Sequence, residues 1–363
     1  MVAAEPLPAE LERVLALTRE AGSPEAAEAR EQLRALLVRL GYDVEVQRFA
    51  FSPRPLAAFP LAGAGLGWLA LLQIPLLLMP RLAPWSALAI WLGGLASLIA
   101  VALGSALGWG GHGDVREDAT LIARRGAGTV RRWIVAHTDT KAQGHSMAGR
   151  LVAVWMVVAA IVACTVLAIL RLSDPLPVWP VAASAALALM AGYLAGKGRL
   201  AGTTVGARDN GSGLVAAITA AEVSRDTGTG ILLTGAEEFG LVGARILAET
   251  RGELVRGAEI VNFDTLDECG TLSLVSHDAS GRALAARLAP LLASPGVPVR
   301  QRRLPLGIFV DSWPLARAGA SAVTIGRLDW STLRRLHTPA DSAEGLSFAT
   351  ALRAGRAVGS MTP

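Results

Sequence analysis

The chain has 363 residues, 52% hydrophobic and only 18% charged, with a net charge of +4. An ordinary soluble domain carries about 25% charged residues, so a mean hydropathy of +0.44 leaves a large apolar excess to be placed. No block of Lys and Arg interleaved with aromatics is present, which argues against a nucleic-acid partner, and two cysteines, Cys164 and Cys269, argue against a disulfide framework.

The opening stretch MVAAEPLPAELERVL lacks the apolar run of a signal peptide. PAELERVLALTRE and SPEAAEAREQLRALLVRLG read as amphipathic helices, the second with Ser23 as N-cap, Pro24 in its first turn and Gly41 at its end. YDVEVQRFAF alternates like a half-buried strand. Between Arg54 and Arg81 lie 26 uncharged residues, and between Arg81 and Asp114 another 32. The strands DATLIARRG and RRWIVAHTD follow, joined by the turn GAGT. Arg150 to Arg171 then encloses 20 uncharged residues, and Asp174 to Lys197 encloses 22. A membrane helix needs roughly 20 such residues. None of the four runs has the polar stripe of a core helix, and Trp68, Trp85, Trp109, Trp155 and Trp179 lie mostly near their ends, where an interfacial belt belongs. The expectation is four transmembrane helices in two hairpins, joined by the short loops MPRLAP and RLSDPLP.

The flanks set a sidedness. Arg54, Lys141, Arg150, Lys197 and Arg199 border the apolar runs on the side of the polar chain, against Arg81 and Arg171 in the far loops. Positive residues stay inside, which predicts a cytoplasmic domain.

From Gly206 onward the rhythm is strand then helix. A helix is expected over 213–224 after the DNGSG turn, then the strand GTGILLTG and the helix GLVGARILAETRG. AEIVNFD and TLSLVS read as strands, SGRALAARLAPLLAS as a helix and VPVRQRRL as an edge strand. DSWPLARAG begins a helix, SAVTIGR is a strand, and SAEGLSFATALRAGRAVGSM closes the chain as a helix. This alternation predicts an α/β fold with a central, largely parallel or mixed sheet flanked by helices. The expected division is an α/β domain of residues 1–54, 111–150 and 197–363, interrupted by transmembrane hairpins at 55–110 and 151–196.

Ligands in such sheets bind beyond the carboxyl ends of the strands. His137 and Asp139 end one strand, Glu237 and Glu238 follow another, and Asp264 ends a third. Asp209 precedes a helix, and His337 lies in the loop after SAVTIGR. A cluster of carboxylates is costly without cations, and imidazole with carboxylate oxygens is an ordinary zinc donor set. Two histidines and three carboxylates can serve a pair of ions if one carboxylate bridges. One of the adjacent glutamates can then ligate while the other acts as general base. Asp139, two residues from His137, suits an orienting role, though spacing does not say what it orients.

The stretches VAHTDT, GARDNGSG, TGAEEFGLVGA, NFD and LHTPADS occur in the order found in the M28 family of zinc peptidases, and the chain resembles that family over about residues 118–350. The resemblance implies a zinc exopeptidase-type fold and two zinc ions. His137 and Asp264 would hold one ion, Glu238 and His337 the other, and Asp209 would bridge them. Glu237 would be the general base and Asp139 the supporting acid beside His137. The stretch before the last ligand departs from the pattern: the family usually has Ser-Asp, and Val310-Asp311 stands here. A larger departure is the apolar hairpin between Asp139 and Asp209, where soluble relatives have a short loop.

The function implied is a membrane-anchored aminopeptidase acting on small peptides. A dinuclear carboxypeptidase or other amidohydrolase would use the same ligands, and a glutaminyl cyclase only one zinc. A receptor or scaffold with an inactive peptidase domain would have lost ligands, and a transporter would carry ionisable residues within its spans. The chain enters the second hairpin 11 residues after Asp139 and leaves it 12 before Asp209. Such connections keep the metals within ~40 Å of the bilayer surface, so the site is expected to open near it, walled partly by residues 141–150 and 197–207. The alternative is a hairpin that only anchors.

Overall fold

The computed structural model describes residues 7–106, 114–304 and 307–361. Trp109 and the expected end of the first hairpin at 107–110 lie outside these residues. Helices α1 (Ala9–Ala16) and α2 (Pro24–Arg39) lead into strand β1 (Asp43–Phe51). Two long apolar helices follow, α3 (Pro55–Leu78) and α4 (Pro84–Ala106), then β2 (Arg116–Arg124) and β3 (Arg132–His137). A second pair, α5 (Met147–Leu170) and α6 (Val178–Gly196), separates β3 from α7 (Gly213–Val223). Next come β4 (Thr229–Thr234), α8 (Val242–Thr250), β5 (Glu259–Leu266), β6 (Thr271–Ser276) and α9 (Ala279–Leu292). The chain closes with β7 (Val299–Arg302), α10 (Ser312–Arg317), β8 (Ser321–Leu328), α11 (Trp330–Leu333) and α12 (Ala349–Gly359).

These elements form two compact units. One comprises Met1–Phe51, Arg116–Ala142 and Gly202–Pro363, the other Ser52–Val115 and Gln143–Ala201. The first is built on an eight-stranded mixed sheet of order β1-β2-β4-β3-β5-β8-β6-β7. Its centre, β4-β3-β5-β8, is parallel, while β1, β2 and β6 pair antiparallel to their inner neighbours. β7 is the edge strand its composition predicts, and it runs parallel to β6. β2 and β3 are joined by a short turn yet are not neighbours, because β4 lies between them.

Alternation along β3 shows why the sheet is covered on both sides. Ile134 and Ala136 join a core with Leu214, Ile218, Leu284 and Val358, from α7, α9 and α12. Trp133 and Val135 join an opposite core with Leu247 and Leu315, from α8 and α10. Helix α7 is apolar all round and buried from Gly213 to Ala221. Its partner α12 meets it through small residues: a Cβ on Gly355 would stand 2.4 Å from the Ala216 carbonyl oxygen.

Local signals hold where caps are explicit. Ser23 Oγ accepts the Ala26 N–H at 3.0 Å, as its N-cap position predicts. Two helices are shorter than their patterns suggest. α1 stops at Ala16 because the chain turns extended at Leu17 and sends Arg19 inward. There the guanidinium donates to the carbonyls of Val14, Leu17, Thr138, Val205 and Gly206. The closing helix begins only at Ala349, where the Glu268 carboxylate accepts from Ala349 N and Ser347 Oγ, and Phe348 is left-handed. The short α11, with its Asp329–Thr332 capping box, is not anticipated by the sequence pattern.

The second unit contains α3 to α6, four helices long and apolar enough to cross a membrane. Large apolar side chains such as Trp68, Leu72, Trp85, Val162 and Trp179 remain exposed on them. Some of their polar groups turn inward. Trp91 Nε1 donates to Thr165 Oγ1 at 2.8 Å, and Gln73 Nε2 to the Ala87 carbonyl at 2.7 Å. Arg171 donates to the carbonyls of Leu76, Met79 and Leu82, tying the two interhelical loops together.

Candidate metal centre

The carboxyl ends of β3, β4, β5 and β8 gather the seven residues singled out from the sequence. His137 is the last residue of β3. Its Nδ1 meets the Asp139 backbone carbonyl at 3.1 Å, which leaves the Nε2 lone pair for another partner. That Nε2 lies 3.2 Å from Asp209 Oδ1 and 3.9 Å from Asp264 Oδ1. On the other side, His337 Nε2 lies 3.4 Å from Asp209 Oδ2 and 3.0 Å from Glu238 Oε1. The two oxygens of Asp209 thus face two different histidines. The donor atoms form two groups, His137–Asp209–Asp264 and Asp209–Glu238–His337, each within 4.8 Å. Three carboxylates and two imidazoles this close are a donor set for divalent cations, and the residues present fit zinc.

The backbone explains the convergence. Asp209 sits in the turn Ala207–Ser212, which is knitted to β5: Asn210 Nδ2 donates to the Phe263 carbonyl, while Asn210 Oδ1 and Ser212 Oγ accept from Thr265 N and Leu266 N. β5 runs two residues past Asp264, so this candidate ligand occupies a register shift inside the strand rather than its end. Gly206 opens the turn with φ +54°, and a Cβ there would lie 2.2 Å from the Asp209 carbonyl oxygen. Ala236, Thr265 and His337 also take positive φ beside or at site residues, a strain that surrounding contacts must hold.

Glu237 and Glu238 lie in the loop after β4, where no pleat forces them apart. Asp139 fixes both: its Oδ1 accepts Glu237 N at 3.0 Å and its Oδ2 accepts Glu238 N at 3.1 Å. The aspartate therefore supports the glutamates with its carboxylate and His137 with its main chain. A single interaction would have been the simpler reading of the spacing.

The two glutamates differ sharply in environment. Burial raises the Glu237 carboxyl well above its ordinary range, with His137 offsetting this only in part. Burial acts on Glu238 in the same sense, but His337 and Lys141 outweigh it and hold that carboxyl well below the ordinary range. Asp264 is pushed up to about 7 by burial and by the Asp209 charge. Neighbouring acids with separated basicities suit division into ligand and proton acceptor.

Several supporting residues escape the sequence reading. Asp341, four residues after His337, accepts Arg208 N at 2.8 Å and Asp209 N at 3.1 Å. Arg208 pairs with Asp267 at 3.2 Å and donates to the Ser342 carbonyl. Lys141 Nζ donates to Glu238 Oε2 at 2.7 Å. A charged residue beside a candidate ligand was the available signal for Arg208, which is adjacent to Asp209. Asp311, at the departure from the usual Ser-Asp pair, is buried and accepts from Thr234 Oγ1. Burial pushes its carboxyl up to about 6.

The fold is the mixed α/β arrangement shared with aminopeptidase-type proteins. It resembles an aminopeptidase from Aneurinibacillus sp. strain AM-1 at a TM-score of 0.53 and 13% identity, over 96% of this chain and 90% of that one. It also resembles a zinc aminopeptidase from Bacillus subtilis (TM-score 0.55, 15% identity, 98% of this chain and 95% of the other). The glutaminyl cyclase of Fimbriiglobus ruber is comparably similar, with a TM-score of 0.54 and 14% identity over 98% and 95% of the two chains. At these identities the likeness is one of fold. No curated protein matches the sequence. Residues 189–362 match the model of peptidase family M28. That stretch contains Asp209, Glu237, Glu238, Asp264 and His337, and leaves His137 and Asp139 before it.

Proposed function

We propose that the chain is a membrane-anchored dinuclear zinc aminopeptidase that releases N-terminal residues from small peptides. The observation that carries this reading is Asp209, whose two oxygens stand 3.2 Å and 3.4 Å from the Nε2 atoms of His137 and His337. One ion would rest on His137, Asp209 and Asp264, the other on Asp209, Glu238 and His337. When bound, zinc supplies a Lewis acid that polarises the scissile carbonyl and makes a water more acidic. Glu237 accepts the proton of the attacking water and delivers it to the leaving amine. Its buried, weakly acidic carboxyl suits a group that must carry that proton between the two steps. Asp139 keeps Glu237 and Glu238 at fixed positions through their backbone N–H groups.

The test is zinc content and product identity with the full chain in detergent. Two zinc ions per chain and stepwise release of N-terminal residues are expected, with no action on N-terminally blocked peptides. Release from the C-terminus would replace this reading with a carboxypeptidase. Conversion of N-terminal glutamine to a cyclic product would replace it with a cyclase, the activity named for two proteins of similar fold. Bound zinc with no turnover of any peptide would leave an inactive scaffold.

Helices α3 to α6 are read as transmembrane, with the first unit in the cytoplasm on the five-to-two excess of flanking basic residues. A reporter fused after residue 363 is expected to be active in the cytoplasm and silent outside; the opposite pattern would reverse the sidedness and leave the chemistry intact.

A further inference from the structure

The metal centre already contains a cation of its own. Lys141 is 2% exposed, and its ammonium donates to Glu238 Oε2 at 2.7 Å and to the Glu238 backbone carbonyl at 3.2 Å. Its backbone is held on the neighbouring residue, where Thr140 N donates to the Arg19 carbonyl at 3.0 Å. Glu238 is therefore divided: Oε2 serves the lysine, and Oε1, 3.0 Å from His337 Nε2, is the oxygen turned to the metal group. Among the described residues no lysine or arginine donates a hydrogen bond to the side chains of the His137–Asp209–Asp264 group. Asp264 Oδ1 accepts from the neutral hydroxyl of Thr265 at 3.1 Å, and among the described residues no lysine or arginine pairs with it.

We propose that Lys141 is a positioning residue that limits Glu238 to one metal-facing oxygen and makes the Asp209–Glu238–His337 site the weaker, later-filled of the two. The inference rests on the dinuclear reading above. Its physical basis is that an ammonium and a divalent ion share one carboxylate in a buried place, where their repulsion is screened less than in water. The same ammonium neutralises Glu238 before any ion arrives, so the second site is shaped in advance and its filling is not needed to hold the loop. Lysine thus lowers the affinity of one site while preserving its geometry.

The experiment is titration of the metal-free full chain in detergent with Zn2+ against a competing chelator, with thermal unfolding followed in parallel. The parent is expected to bind in two resolved steps at least ~10-fold apart, the scale on which outer partners tune metal affinity. His337→Ala should abolish the weaker step, and Asp264→Asn should impair the tighter one. Lys141→Met should tighten the weaker step by ~10-fold or more and leave the tighter one within about threefold. Two equal steps in the parent, loss of the tighter step in His337→Ala, or an unchanged or weakened second step in Lys141→Met would each overturn the proposal. If Lys141→Met does not fold, the order of filling in the parent and the two ligand variants decides the matter. A parent that binds one ion or none overturns the dinuclear reading and this assignment with it. Two ions with an unresponsive lysine overturn this assignment alone.

Discussion

Glu237→Gln is expected to retain both zinc ions and to hydrolyse peptides at least ~100-fold more slowly in kcat, the usual scale for losing a general base. The substitution keeps the side chain's size and leaves the Glu237 N–H free to donate to Asp139 as before. It removes the capacity to accept and return a proton. Since Glu237 belongs to neither metal group, zinc content measured beside activity separates this role from ligation. Glu238→Gln gives the contrast: it should lose zinc, with activity partly restored by excess metal. Full activity in Glu237→Gln, or equal zinc retention in both variants, would reverse the assignment.

Asp209→Asn is expected to weaken both zinc steps by more than the ~10–100-fold that loss of a supporting partner costs, and to abolish turnover at ordinary zinc concentrations. Its two oxygens are common to the two groups, so no other single residue should affect both ions equally. Asparagine preserves shape, and the backbone N–H held by Asp341 is untouched. A folded variant with its metal lost is therefore the expected result, checked by far-ultraviolet circular dichroism beside the zinc titration. A variant that loses one step and keeps the other would show that Asp209 is not shared.

The gathering of this site was legible because strands buried on both faces leave only their ends for polar chemistry. His137, Glu237, Glu238 and His337 each stand at or beyond the end of an apolar run, and a parallel centre brings those ends to one rim. Asp264 was placed at the right rim but on the wrong local geometry, since a register shift inside β5 is set by hydrogen bonds from Asn210 and Ser212, more than 50 residues earlier. Such pairing leaves no periodic trace. The same holds for β4, which separates two strands joined by the seven residues 125–131. Lys141 and Arg19 were invisible for another reason. A basic side chain normally reads as solvated, and only the folded chain reveals carbonyls or a carboxylate waiting for it. Helix ends proved readable where a cap was present, as at Ser23. They were misread where an inward arginine or an outlying glutamate decided the boundary, as at Ala16 and Ala349.

The hydrogen bond from Thr140 Oγ1 to the Thr204 carbonyl, at 3.4 Å, joins two residues that bracket the second apolar hairpin. Both belong to the sheet-containing unit, so the excursion between them departs and returns through adjoining points. Chain that leaves and re-enters at one place adds little to the entropy of closing the surrounding fold, because that cost rises only logarithmically with loop length. The hairpin therefore has the character of a cassette: the sheet framework is compatible with a long insert, a short one, or a simple turn at the same two anchor points. Variation in the insert can then proceed without disturbing the neighbouring candidate ligands, which makes residues 140 and 204 a natural graft point for apolar inserts of different length.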